Sequence, residues 1–319
     1  MTSLEVIAMR VLFATDGSRS ADLARDLLAT LPWPEDTRIR VVAVVEGRTI
    51  LPRFDGAADD PDIRDDAVAH HVDLTLDAAM RALEGPGRSV DRIVLDGRPA
   101  SAIIEEARGY GAGLIVLGSH GHSRIASMLL GSTSAEVVAR AHCPVLVARD
   151  RLVEEVVLGA DTSMAARQAE TVVGWPIFRA LPASVVSVAA PSVPWLDALP
   201  GVVTTEVLEA ESYEAEQAVA RALGVARAAA DRLEAAGVVA QPLALQGDAA
   251  AELVAFAMTR PHGLLVVGSR AHGGLAKLLL GGVARNVLQH AAGSVLVVPE
   301  TVPVRDVAHD RPPVLTTTH

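Results

Sequence analysis

Short runs of β-branched and apolar residues alternate along the chain with longer alanine-rich stretches of helical period, and the whole alternation occurs twice. In the first half, apolar runs near 10 to 15, 40 to 46, 90 to 96, 113 to 118 and 143 to 148 have the length and composition of buried strands. Helical patterns near 19 to 30, 62 to 84, 99 to 109 and 132 to 141 separate them. That rhythm predicts β-α-β units with parallel strands and right-handed crossovers. The second half repeats it, with a long helix near 211 to 236 in which Glu211, Glu214 and Glu216 read as a solvated face.

The repetition extends to the residues themselves. LIVLGSH at 114–120 recurs as LLVVGSR at 264–270, a shift of 150 residues, and the same shift carries Gly97 onto Gly247 and Gly131 onto Gly281. Near the start of each half, VLFATDGS at 11–18 answers VVLGADTS at 156–163, a shift of 145 residues. The fold class expected is therefore α/β: two tandem open, parallel, five-stranded sheets with helices on both faces. The domains run over residues 1–150 and 151–302, and 303–319 forms a tail without periodicity that is expected to be disordered. The stretches 47 to 61 and 189 to 205, rich in Pro, Gly and Asp, are long connections able to act as lids.

Composition narrows the function. The chain of 319 residues is half hydrophobic with only 3% aromatics, so its cores are built from Ala, Val and Leu. A net charge of -11, unbroken by any basic cluster, argues against nucleic acid as a partner. Among the 28 basic residues only Lys277 is a lysine, and no Gly-Lys-Ser/Thr phosphate loop occurs. No apolar run reaches the roughly 20 residues that span a bilayer, and the stretch from Val6 to Ala14 lacks a basic leader and a cleavage site. With one cysteine, Cys143, no intramolecular disulfide is available, and a cytoplasmic location is expected.

The informative constellation is Gly118-x2-Gly121-x9-Gly131-Ser132-Thr133. Glycines at the carboxyl end of a strand let backbone amides turn inward and let a ligand approach closely. Gly131-Ser132-Thr133 falls where the last helix begins, and a helix amino terminus offers unpaired N–H groups and the positive end of the dipole to an anion. In an open parallel sheet the ligand lies beyond the carboxyl ends of the strands where their order reverses, which brings Asp16 opposite this loop. Its carboxylate can accept from ribose hydroxyls or hold a magnesium-associated water. The backbone at Ala14 and Thr15 can meet an adenine edge, and Val44 can pack on the base.

Together these residues, followed by the strand CPVLV at 143–147, resemble the universal stress protein family, over nearly all of both halves. The resemblance implies a sheet order of 3-2-1-4-5 and ATP, with or without Mg, held by Ala14, Thr15, Asp16, Val44, Gly118, Gly121, Gly131, Ser132 and Thr133. It implies a nucleotide-binding regulatory stress-response protein with an unidentified protein partner, and it leaves homodimerisation open. The second half departs from the pattern, with Ala271 in place of Gly121 and Gly282 in place of Ser132, so the nucleotide is expected mainly in the first.

Other readings of the same residues are more modest. Asp16 is also suited to capping the helix near Arg19. His120 and His122, two apart on a turn, make poor metal ligands, and Cys143 in an apolar run reads as a buried, inert thiol. Slow ATP hydrolysis or autophosphorylation at Ser132 or Thr133 lacks an accompanying general base, catalytic lysine or metal pair, so an enzyme is not expected. A nucleotide-free scaffold or dimerisation module is the remaining alternative. The apolar strand-five segments at 144–148 and 294–298 need covering at a sheet edge, and the two halves can pair through them.

Overall fold

The computed structural model describes residues 9–46, 61–121, 130–190, 205–269 and 280–300, with side chains described from 68 in the second helix and from 212 in the sixth. The first half comprises β1 (Arg10–Ala14), α1 (Arg19–Thr30), β2 (Thr37–Val45), α2 (Pro61–Leu83), β3 (Arg88–Asp96), α3 (Pro99–Tyr110), β4 (Leu114–Gly118), α4 (Ser132–Arg140) and β5 (Val145–Ala148). The second comprises β6 (Glu155–Gly159), α5 (Met164–Val173), β7 (Ala183–Ala189), α6 (Thr205–Ala235), β8 (Ala240–Gln246), α7 (Ala249–Met258), β9 (Gly263–Ser269), α8 (Gly282–His290) and β10 (Val295–Pro299). The expected lids, most of which fall in 47–60 and 191–204, and the tail from 303 lie outside the described residues.

Strands within each half are parallel, and the first half has the order 3-2-1-4-5. The expectation of two separate sheets is corrected: the halves form one ten-stranded sheet, β3-β2-β1-β4-β5-β10-β9-β6-β7-β8. Its centre is an antiparallel ladder in which Val145, Leu146 and Val147 face Val297, Leu296 and Val295. The physical reason lies in strand five, which is buried along its whole length and would otherwise present unpaired N–H and C=O groups beside apolar side chains. Joining the two edges satisfies both at once. The outer strands differ: β3 has only half-buried and exposed positions and carries Arg88, Asp91 and Arg92, and β8 carries Pro242, features that discourage further strand addition.

Side chains on one face of the sheet, from Leu27 and Leu76 to Phe178 and Leu233, make one continuous core beneath α1, α2, α5 and α6. On the other face, Ile103, Leu117 and Val137 join Leu253, Val267 and Val287 beneath α3, α4, α7 and α8. Cys143 is fully buried there, and burial pushes its thiol up to about 12, in keeping with an inert core residue. Because the central ladder is antiparallel, the strands of the two halves run in opposite directions. Their carboxyl ends therefore open at opposite ends of the sheet.

Polar contacts reinforce the junction. The Ser294 hydroxyl accepts from the backbone N–H groups of Arg149 and Asp150, at 3.0 and 3.2 Å. The Arg149 guanidinium donates to the carbonyls of Gly293 and Leu288, the latter in the last turn of α8, where a cation also opposes the helix dipole. Asp150 then pairs with His262 Nδ1 at 2.6 Å, and His262 adopts a left-handed backbone with φ of 57°.

Each half seats its first helix on a strand-end glycine. A Cβ at Gly118 would lie 2.6 Å from the backbone carbon of Ser20 in α1, and one at Gly268 would lie 2.6 Å from that of Ala165 in α5. These glycines are demanded by helix packing, whatever else they serve. Gly268→Ala is accordingly expected to cost about 1–3 kcal/mol through overpacking against a backbone that cannot yield. A urea-unfolding midpoint equal to wild type would contradict the contact. The hydrogen bond that the protonated His262 ring donates to Asp150 raises its pKa, so the stabilisation is present below the unfolded-chain value and lost as pH rises through the folded one. NMR titration should place His262 above 6.5, the ordinary histidine value, and Asp150→Asn should bring it down.

Candidate functional site

β1 and β4 lie side by side, with Ala14 opposite Leu117, and the chain leaves them toward opposite faces of the sheet. A crevice must open between their carboxyl ends, since neither following helix can cover it. The crevice is lined by all nine residues singled out from the sequence: Ala14, Thr15, Asp16, Val44, Gly118, Gly121, Gly131, Ser132 and Thr133. Val42 and Ile103 extend its apolar wall, and His120 adds an imidazole to the rim.

Local chemistry fixes each wall. Asp16 Oδ1 accepts from the Ser18 N–H at 3.0 Å, an Asx-type turn, while the Ser18 hydroxyl caps α1 by accepting from Ala21 N. Ser18, and not Asp16, is thus the helix cap, and Asp16 is held one step earlier with its carboxylate at the crevice. The backbone of the facing loop is pinned in turn. The Gly131 N–H donates to Ser119 O at 2.7 Å, and the Ser20 hydroxyl bonds both the His120 carbonyl and the His120 N–H. Ser119 Oγ and His120 Nδ1 are 2.8 Å apart.

The amino terminus of α4 carries three hydroxyls with two fates. Ser134 is buried and donates to Gly118 O at 2.8 Å, tying the helix to the end of β4. Ser132 and Thr133 line the crevice. The helix begins at Gly131 without a side-chain cap, so its first-turn amides face the same space. An anion there meets backbone N–H groups, two hydroxyls and the helix dipole, with no lysine or arginine among the lining residues.

Gly121 has a reason of its own. A Cβ there would lie 2.9 Å from Asp16 Oδ2, so any side chain at this position presses on the carboxylate. Contact with the carboxylate is thus a second reason for glycine here, beside the close ligand approach expected at this loop. Ala271, the matching residue of the second copy, and His122 both lie outside the described residues. For a magnesium ion the described residues offer no group of three or more His, Cys, Asp or Glu side chains. Asp16 would supply at most one ligand, leaving the rest to phosphate oxygens and water.

The second half has a cleft at the corresponding place, about 230 Å³ against about 160 Å³ for the first, so it has not been filled in. It retains Asp161 and Gly281, but Gly282, Val283 and Ala284 stand where Ser132, Thr133 and Ser134 stand. Sequence comparison singled out only the first of these losses, although the shift that carries Gly131 to Gly281 reveals all three. Val42 and Ile103 were passed over, and His120 was weighed only as a metal ligand. Strand alternation from Val44 puts Val42 on the same wall, whereas the place of Ile103 depends on how α3 packs.

Comparison with known proteins bears on the family and the fold. The sequence model of the universal stress protein family matches residues 8–149 and again residues 154–299. A universal stress protein of Thermus aquaticus is 49% identical over 72 residues, covering 23% of this chain and 52% of that protein. One from Synechocystis is 32% identical over 140 residues, covering 44% of this chain and 42% of its own length. The matched segments therefore span about half the length of these curated relatives. The crystal structure of a universal stress protein from Archaeoglobus fulgidus aligns over 92% of this chain and 98% of its own, with a TM-score of 0.63. At 18% identity that likeness speaks for the fold alone. Among the described residues no helix is long and apolar enough to cross a membrane. With the family pattern met twice in register across most of its length, the chain belongs to the universal stress protein family, in tandem form.

Proposed function

We propose that the first-half crevice binds an adenine nucleotide, with ATP as the leading ligand, and that the chain works as a cytoplasmic stress-response regulator whose surface depends on occupancy. The observation that carries this reading is the amino terminus of α4, where Ser132 and Thr133 add hydroxyls to open-ended amides directly across a crevice from Asp16. An apolar slot ending in Val42 and Val44 suits a base, a carboxylate suits ribose hydroxyls, and an uncapped helix terminus suits phosphates. The three stand in the order in which a nucleotide presents those groups. Magnesium would accompany the phosphates and shield their charge.

Binding without turnover is the function this chemistry favours. Asp16 and His120 are the titratable side chains among the described lining residues, and no lysine stands beside them to stabilise charge on a transferring phosphoryl group. The protein partner that would read the occupied state is to be sought by comparing ATP-loaded with stripped protein.

Calorimetric titration of stripped protein with ATP and magnesium should show binding, and Ser132→Ala with Thr133→Val should weaken it by tenfold or more. Hydrogen bonds to a charged group contribute about 1.5–3 kcal/mol each, and tenfold is about 1.4 kcal/mol. Unchanged affinity in that variant would remove the assignment of the phosphate end. Gly121→Ala should also weaken ATP while leaving the thermal midpoint near wild type, because its methyl meets a carboxylate at the rim and not the core. Steady release of inorganic phosphate above the blank would turn the reading toward an enzyme.

A further inference from the structure

Among the described lining residues, the largest chemical change between the two clefts is at the helix terminus. Val186, Val188, Leu253 and Val267 line the second cleft where Val42, Val44, Ile103 and Leu117 line the first, so its slot remains apolar. The floor is also kept, since Ala160 N donates to Val186 O at 2.8 Å just as Thr15 N donates to Val42 O at 2.9 Å. Asp161 repeats the turn of Asp16, accepting from the Ser163 N–H at 2.7 Å, and lines the cleft in the same way.

The wall at the start of α8 has changed its chemistry. Gly282 replaces a serine and Val283 a threonine, which leaves an apolar side chain, 40% exposed, at the helix amino terminus. Packing does not require this. A Cβ at Gly282 would meet no described residue within 4 Å, whereas Gly268, which packing does require, has been kept. A phosphate chain placed here would lose two hydroxyl donors and lie against an isopropyl group, surrendering water without full replacement.

We infer that the second cleft is a separate binding site for a nucleoside-class ligand: a flat, largely apolar ring body with hydroxyl donors and no phosphate chain. The ring lies between the valines and Leu253, and the hydroxyls donate to Asp161. The inference rests on the nucleotide reading of the first cleft, from which the roles of the retained walls are carried over. It makes the chain a two-ligand protein, with the clefts opening at opposite ends of one sheet and accepting ligands that differ in charge.

Adenosine is the probe, and the full chain saturated with ATP and magnesium is the sample. Calorimetry is expected to show about one adenosine bound per chain with ATP present, and Asp161→Asn to weaken it tenfold or more. Asparagine keeps an oxygen for the Ser163 N–H, so the turn itself survives the substitution. Two ATP molecules per chain, exclusion of adenosine by ATP, absence of adenosine binding, or indifference to Asp161→Asn would each overturn the inference. If ATP itself fails to bind, the reading of the first cleft falls, and the adenosine titration of the Asp161 variant still decides the second.

Discussion

Three residues of β5 lie antiparallel to three of β10, and the rest of the molecule is arranged around that short ladder. Each half alone would end in a strand buried on both faces, with its outer backbone groups unpaired. Pairing them edge to edge turns two open sheets into one and draws side chains of both halves into each of two cores. The contacts made by Ser294, Arg149 and Asp150 are local consequences, since they exist only because the ends of β5 and β10 have been brought together. The same pairing leaves as outer edges β3 and β8, whose charged residues and proline suit them to remain unpaired.

The ladder also sets where ligands can go. Its antiparallel sense points the carboxyl ends of the two sets of strands away from each other, so the two clefts do not face one another. Each is built from its own half, on β1, β4 and α4 or on β6, β9 and α8. A change in one wall of one cleft can therefore occur without disturbing the other. The residues bear this out. Glycines required by helix packing, Gly118 and Gly268, persist in both halves, while the hydroxyls at the start of α4 have no counterpart at the start of α8. Retention of a glycine from a binding motif is thus weak testimony for binding when the same glycine seats a helix.

Much of the fold was legible in the sequence because its signals are local. The run at 114–118 is apolar throughout and ends in glycine, and the repeat with Gly268 fixed the plan of both halves. Boundaries were harder. β2 begins at Thr37, earlier than the apolar run suggests, because Arg38 is exposed and Arg40 lies over the Tyr110 ring, paired with Asp91 and Glu106. α6 likewise begins at Thr205, ahead of the alanine-rich stretch that announces it. The single sheet could not be read with certainty from an apolar strand five, since such an edge is equally satisfied by a second chain. At the site, spacing identified the glycines and hydroxyls but not their physical reasons. That Gly118 meets Ser20 and Gly121 meets Asp16 depends on helix placement and loop closure, which no local pattern encodes.

The central claim is that the first half, and it alone, holds a phosphorylated adenine nucleotide. The most direct test is to denature the purified full-length protein and to identify and count, by mass spectrometry, the nucleotides it releases. About one phosphorylated adenine nucleotide per chain, absent from protein carrying Ser132→Ala and Thr133→Val, is the result the account predicts. Two per chain, or none together with no response of the protein to added ATP and magnesium, would contradict it.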